Sequence, residues 1–327
     1  MRVVEIREPG GPEVLQFATR PVPQPKADEV VIAVRAAGVN RPDVQQRRGL
    51  YPPPPGASDL LGLDVAGIVS AVGENVKDVT VGDKVCALAN GGGYAEFCAV
   101  PAPQVMPIPS GFDFIQAASL PEVFFTAWNN VVWLGRLAEN EALLIQGGTS
   151  GVGLAATQIA RQLFKARVLV TASTAEKRAF CLEMGAESAF DYREPDWDEQ
   201  IRRHIGDQGL DIVLDGQAGP YTQKQLDLLG YDGRLVLIAS HLGATAQVNV
   251  RDLVRRRLTL TGSTLRPRDA AYKGRLAREL VEKVWPLLSA GKIRTTICDV
   301  LPFSRVVRAH QIMDANEQLG KIVLQVS

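Results

Sequence analysis

The chain has 327 residues, of which 36 are basic and 36 acidic, so its formal net charge is zero. That balance provides no long-range attraction to nucleic acid or to an anionic membrane, and neither partner class is expected. With 46% hydrophobic and 22% charged residues, the composition is that of a globular protein long enough for two domains.

The four cysteines, Cys86, Cys98, Cys181 and Cys298, form no C-x-x-C pair and have no histidine close in sequence, so no metal-ligand set is expected. The start "MRVVEIREPGG" has no apolar leader, and no apolar run reaches the roughly 18 residues of a membrane span. The chain therefore reads as a reduced, cytoplasmic protein.

In chain order, the first third is strand-like. Apolar runs at 29–36, 65–73 and 82–88 are punctuated by Gly and Pro. One helix is expected there: Asn40 can cap it, Pro42 fits its first turn, and Gly49 can end it. "YPPPPG" at 51–56 cannot be helical. From about residue 120, six short apolar strands alternate with helical segments, which predicts a doubly wound parallel α/β sheet. The basic run Arg255–Arg257 reads as a solvated helix end. A helix over 269–290 follows, and the final strand, "KIVLQV", is expected to return to the first domain. The fold class is therefore α/β, with a mainly β domain at 1–121 and 265–327 and a six-stranded Rossmann domain at 122–264.

The turn "QGGTSGVG" (146–153) lies between the strand "ALLIQ" and a helix. It aligns with G-x-G-x-x-G as Gly148, Ser150 and Gly153, with Gly151 and Val152 inside. In that fingerprint the first glycine makes the tight turn, the second lets a diphosphate approach, and the third lets helix and strand pack. A Cβ at Ser150 holds the phosphates further off, while its hydroxyl can bond one of them. The helix start adds unpaired N–H groups and a positive dipole end. A dinucleotide ligand is expected.

The next strand ends "TAST" without the acidic residue that binds a ribose 2′-OH in NAD sites. Ser173 and Lys177 can instead hold a 2′-phosphate, with Arg178 nearby and Glu176 facing solvent. The expected coenzyme is NADPH.

With these residues placed, the chain resembles the zinc-free quinone oxidoreductases (zeta-crystallin-like) of the medium-chain dehydrogenase/reductase superfamily. The similarity rests on "GGPEVL", "GVNRPDVQQRRGLYPPPPG", "GLDVAGIV", "VGDKV", "GGGYAEFCAVP", "QGGTSGVGLAATQIAR" and "GKIVL". The stretch holding Asn40, Arg41, Asp43 and Tyr51 is most similar to the tumour-suppressor-inducible quinone oxidoreductases. The resemblance implies a GroES-like catalytic domain, a Rossmann domain and an active site in the cleft between them. It also implies NADPH-dependent reduction of quinones or other electron-poor carbonyls. Zinc-dependent relatives carry G-H-E where this chain has Gly62, Leu63 and Asp64, and Leu63 cannot ligate zinc.

Without a metal to polarise a carbonyl, a conjugated acceptor is the expected substrate, because conjugation spreads the charge of an incoming hydride. The resemblance places Asn40 by the nicotinamide; by residue type alone it is equally a helix cap. It also places Tyr51 at the substrate pocket, where its ring can stack on a quinone or its hydroxyl donate. Asp43 is expected to serve only the helix dipole.

At the carboxyl ends of the strands, Tyr192, Gln217, Ala239, Ser240, His241, Ser263, Thr264 and Leu265 are expected at the coenzyme, with Thr126 near the nicotinamide. His204 and His310 read as structural. The alternatives are an NADPH-dependent enone or enoyl double-bond reductase, and a non-catalytic NADPH-binding sensor or structural protein. The strand "LTLTG" (258–262) reads as a sheet edge through which two copies are expected to pair, as a dimer or a tetramer.

Overall fold

Seven strands occupy the first third of the chain in the computed structural model, which describes residues 1–326. They are β1 (Arg2–Ile6), β2 (Leu15–Thr19), β3 (Glu29–Val39), β4 (Asp64–Val72), β5 (Lys84–Leu88), β6 (Phe97–Pro101) and β7 (Val105–Pro107). β3 is apolar along most of its length, and eight of its eleven residues are buried. It pairs antiparallel with both β4 and β6. Helices α1 (Arg41–Arg47), α2 (Phe114–Ala117) and α3 (Pro121–Ala127) follow β3 and β7. α3 continues into a π-helical segment, Trp128–Leu134.

The chain then runs through β8 (Ala142–Gln146), α4 (Gly151–Phe164), β9 (Arg167–Thr171), α5 (Ala175–Glu183), β10 (Ser188–Phe190) and α6 (Trp197–Ile205). It continues through β11 (Leu210–Asp215), α7 (Tyr221–Leu228), β12 (Leu229–Leu237), α8 (Val250–Arg256) and β13 (Thr259–Gly262). These six strands form one parallel sheet of order β10-β9-β8-β11-β12-β13. That is the doubly wound Rossmann order, with its switch point between β8 and β11. β13 is the sheet's edge, as its sequence indicated.

After β13 come α9 (Ala270–Lys283), α10 (Trp285–Ser289), β14 (Ile297–Pro302), α11 (Val306–Ala315) and β15 (Lys321–Gln325). The single helix expected over 269–290 is two helices. Pro286 has no N–H to give the preceding turn, and the helix breaks at Val284. β15 returns to the first sheet and pairs antiparallel with β3, Ile322 opposite Val39.

The chain divides into two units, Met1–Phe125 with the segment from Leu265 onward, and Thr126–Thr264. The first division lies inside α3 rather than at 121/122. Each unit has its own core. In the first, Val30, Ile32, Val65, Val69, Val85, Ile322 and Leu324 pack together; in the second, Leu144, Leu169, Val213, Leu226 and Leu235 do. Each such side chain contributes roughly 1.5–3 kcal/mol by leaving water.

The basic run at the end of α8 is not simply solvated. Arg256 donates to the carbonyls of Leu229 (2.7 Å) and Leu226 (2.9 Å), and Arg257 pairs with Asp232 at 2.7 Å. Among the described residues, no helix is long and apolar enough to cross a membrane.

Candidate functional site

In the second unit, β8 ends at Gln146 and the glycine turn follows. Gly147, not Gly148, has the left-handed backbone of the tight turn, with φ +83 and open space where a Cβ would sit. Gly148 is required for a different reason. A Cβ there would lie 2.7 Å from Val170 Cβ and 3.0 Å from Cys181 Sγ, so only glycine lets the turn pack on β9 and α5. At Gly153 a Cβ would lie 2.6 Å from the Gly147 carbonyl and 2.9 Å from that of Gly148. The helix start is therefore pressed directly against the turn.

Gly151 and Val152 open α4, and Ser150 is its N-cap, accepting the Gly153 N–H at 3.0 Å. A capping hydroxyl accepts inward and still has its own proton to donate outward. Thr171 supports the turn from below, donating to Gln146 Oε1 (2.6 Å) and accepting the Gly147 N–H (3.2 Å). A narrow, glycine-lined turn at the start of a 14-residue helix fits a diphosphate.

Beside it, β9 ends at Thr171 and passes through Ser173 to Thr174, which caps α5 by accepting the Lys177 N–H at 3.1 Å. Lys177 is half-buried in the first turn of α5. Arg178 is not directed to a ligand. It donates to Asp191 at 2.7 Å and to the Ser173 carbonyl at 3.2 Å. Arg193 pairs with the same carboxylate, also at 2.7 Å. Arg193 and Arg178 hold the Asp191 carboxyl well below the usual carboxylate range. Two arginines thus neutralise this acid, and the rim after β9 stays cationic.

Tyr192 does not end a strand, because β10 stops at Phe190. Asp191 turns the chain there by accepting the Arg193 N–H at 3.0 Å. The Tyr192 carbonyl accepts from the Tyr221 hydroxyl at 3.1 Å.

Across the switch point, Asp215 ends β11, fully buried, and accepts the N–H groups of Gln217 and Ala218, each at 2.7 Å. Burial pushes its carboxyl up. The loops after β11 and β12 are joined by His241 N–H to the Gly216 carbonyl (3.1 Å) and Leu242 N–H to the Gln217 carbonyl (2.9 Å). Ala239, Ser240 and His241 lie on this loop pair, Ser240 and His241 exposed. Ser263 and Thr264 follow β13.

All these positions lie at the carboxyl edge of one parallel sheet, where open α/β sheets bind ligands. Thr126 begins the unit. Leu265 directly follows Thr264, is buried, and begins the returning segment of the other unit.

In the first unit, Asn40 sits at the N-cap position of α1, but its amide joins a buried network. Asn40 Nδ2 donates to Asp64 at 2.9 Å, and Lys321 Nζ donates both to Asn40 Oδ1 and to Asp64, the latter at 2.7 Å. The Glu122 N–H reaches the other Asp64 oxygen at 2.6 Å. Asp43 does more than face the helix dipole. It is buried and accepts the N–H groups of Asn40 (2.8 Å) and Gly62 (3.0 Å); burial pushes its carboxyl up to about 6.

His310, read as structural, is buried against this group. Burial and the neighbouring Arg47 push it down to about 3, so it is neutral. Its Nδ1 therefore accepts from Arg47 (3.1 Å), and its Nε2 faces the Tyr94 hydroxyl (3.3 Å). Tyr51 is half-buried with the Arg266 guanidinium 5.5 Å from its ring centre, a cation–π contact. Gln46 and the Asn90 carbonyl hold that arginine at 2.8 and 3.0 Å.

The sequence reading missed Glu122, Lys321, Asp191 and Asp215 as members of these networks. Only "GKIVL" carried a signal, and it named no partner for its lysine.

Glu122 yields a pH prediction. Burial, then the nearby Asp64, pushes its carboxyl up from 4.5 to about 7. Between those values the folded chain holds a proton that the unfolded chain has lost, so stability falls as pH rises, and above 7 the loss is complete. Glu122→Gln removes this loss. Its stability advantage over wild type should grow from pH 4.5 to 7 and reach about 1–3 kcal/mol. Urea unfolding at pH 4.5, 6 and 8 measures it; a difference that does not change with pH contradicts the assignment.

Comparison with known proteins agrees with this architecture. Residues 26–110 match the family model of the alcohol dehydrogenase GroES-like domain, and residues 151–282 match that of the zinc-binding dehydrogenases. The chain is 33% identical to a human (Homo sapiens) quinone oxidoreductase, over 99% of this chain and 97% of that one. The structure of Escherichia coli quinone oxidoreductase complexed with NADPH matches over 100% of both chains, with a TM-score of 0.87 and 28% identity. A mycobacterial protein, also solved with NADPH, matches over 100% of both chains with a TM-score of 0.89 and 30% identity. Matched over nearly its whole length by a relative of this kind and by both family models, the chain belongs to the quinone oxidoreductase family of medium-chain dehydrogenases/reductases.

Proposed function

We propose that the protein is a zinc-independent, NADPH-dependent reductase that transfers hydride to quinones. The observation that carries this reading is the pairing of a glycine-lined diphosphate turn with a cationic rim whose nearby acid is already neutralised. NAD sites place an unpaired carboxylate at the end of the second strand of this unit. Here Ala172, Ser173 and Thr174 follow the strand, and Lys177 offers a cation one helical turn on. The two relatives solved with NADPH support the same choice.

When bound, the reduced nicotinamide supplies the hydride. Gly147, Gly148 and Gly153 shape the turn that holds the diphosphate, and the Ser150 hydroxyl donates to it. Ser173 and Lys177 hold the 2′-phosphate. Tyr51, fixed by Arg266, presents its ring to a flat conjugated acceptor. Asn40, held by Asp64 and Lys321, keeps its amide in one orientation. A quinone that accepts hydride becomes a hydroquinone anion, a stabilised charge that takes its proton from water; no metal or acid–base pair is required. Leu63, where zinc-dependent relatives carry histidine, supports the zinc-independent reading.

The test is NADPH oxidation against a panel of ortho- and para-quinones and conjugated enones. Turnover of quinones without enones is the expected result. Turnover of enones alone moves the assignment to a double-bond reductase, and tight NADPH binding without turnover of either moves it to a non-catalytic role. Lys177→Ala should weaken NADPH about 10-fold, within the range of a charged hydrogen bond, and NADH hardly at all. Equal weakening of both overturns the assignment of the 2′-phosphate to this rim.

A further inference from the structure

Asn130 is buried, 1% exposed, on the π-helical segment Trp128–Leu134. The wider turn is seen in the Gly135 N–H, which bonds the Asn130 carbonyl five residues back at 2.8 Å. Widened turns of this kind occur frequently at functional sites. The amide of Asn130 has two partners. Its Nδ2 donates to the Thr126 carbonyl at 2.8 Å, and its Oδ1 accepts the Ser263 hydroxyl at 2.5 Å. The orientation is fixed by chemistry, because a backbone carbonyl can only accept, so the amide NH₂ must face Thr126 and the amide oxygen must face Ser263.

This arrangement determines what Ser263 can offer. Its hydroxyl proton is directed to Asn130, and its backbone N–H bonds the Leu237 carbonyl at 2.9 Å. What the half-buried hydroxyl has left is acceptor capacity. Ser263 follows β13, in the half of the sheet across the switch point from the Lys177 rim. A dinucleotide with its 2′-phosphate on that rim extends across the switch point, so its reacting end lies in the half that holds Ser263. A reduced nicotinamide carries a carboxamide whose NH₂ needs an acceptor.

We propose that Asn130 is a positioning residue for the nicotinamide: by taking the Ser263 proton it makes that hydroxyl a pure acceptor for the carboxamide N–H. This rests on the NADPH reading above. The Asn130 bond to Thr126 keeps the amide from flipping, which would turn a second donor toward Ser263 and force the serine proton outward.

The test uses three probes with the full chain, and dissociation constants are read by titration calorimetry. The probes are NADPH, its reduced 3-acetylpyridine analogue, which has a methyl ketone in place of the carboxamide, and 2′-phospho-ADP-ribose, which has no nicotinamide. Ser263→Ala should weaken NADPH about 3- to 10-fold, the range of one neutral hydrogen bond. It should leave the acetylpyridine analogue and the nicotinamide-free fragment unchanged. Asn130→Leu should show the same selectivity whatever its effect on melting temperature, because each comparison is made between ligands on one variant. Equal weakening of NADPH and the acetylpyridine analogue, or no weakening of either, overturns the inference while leaving the coenzyme reading in place. Failure of the wild type to bind NADPH overturns that reading and this inference with it.

Discussion

Lys321→Met should lower stability by about 3–5 kcal/mol, the cost of leaving a buried carboxylate without its cation. Lys321 and Asp64 are 2.7 Å apart, with side chains 5% and 0% exposed. Water cannot replace the lost ammonium. Asp64 would keep only the Asn40 amide and the Glu122 N–H as donors, and Asn40 would lose the donor to its Oδ1. Urea unfolding of the variant measures the loss. The double variant Lys321→Met with Asp64→Leu should recover more than half of it, because an apolar pair of similar volume has no charge to desolvate. A loss below about 1 kcal/mol for Lys321→Met would show that Asp64 is already accommodated by its N–H donors.

Gly153→Ala should have the largest effect on coenzyme affinity. Its Cβ would enter 2.6 Å from the Gly147 carbonyl and 2.9 Å from that of Gly148. Those atoms are backbone, so neither can swing away. The helix start must move off the turn, and the N–H groups that point at the diphosphate move with it. An overpacked contact of this kind costs about 1–3 kcal/mol, and NADPH should bind about 10- to 100-fold more weakly. Gly147→Asn is the control. Its neighbourhood is empty, and asparagine tolerates a left-handed backbone, so only a conformational cost of about 1 kcal/mol is expected. Wild-type NADPH affinity in Gly153→Ala, measured by titration calorimetry, would remove the argument that the turn and helix act as one unit.

Much of this molecule was legible along the chain. The alternation of short apolar runs with helical segments gave six parallel strands, and the glycine spacing placed the turn between the first strand and its helix. The position of "LTLTG" after the last crossover marked an edge, and the apolar "KIVLQV" marked a strand returning to the first sheet. Each of these is a local property. Periodicity reports which face of an element is buried, and glycine or proline reports where the backbone needs freedom or loses a donor.

The tertiary structure decided what spacing cannot. Two adjacent glycines look alike in sequence, yet Gly147 is set by its φ and Gly148 by the side chains of Val170 and Cys181. Lys321 meets Asp64 across 257 positions, and Ser263 meets Asn130 across 133. Asp191 sits by a rim that wants no acid, and only its two arginines reveal that its charge is already neutralised. The physical reason is the same in each case: a residue's type fixes what it can donate, accept or carry, whereas its partner is fixed by which distant segments the sheets bring together, and burial then decides how much that pairing is worth.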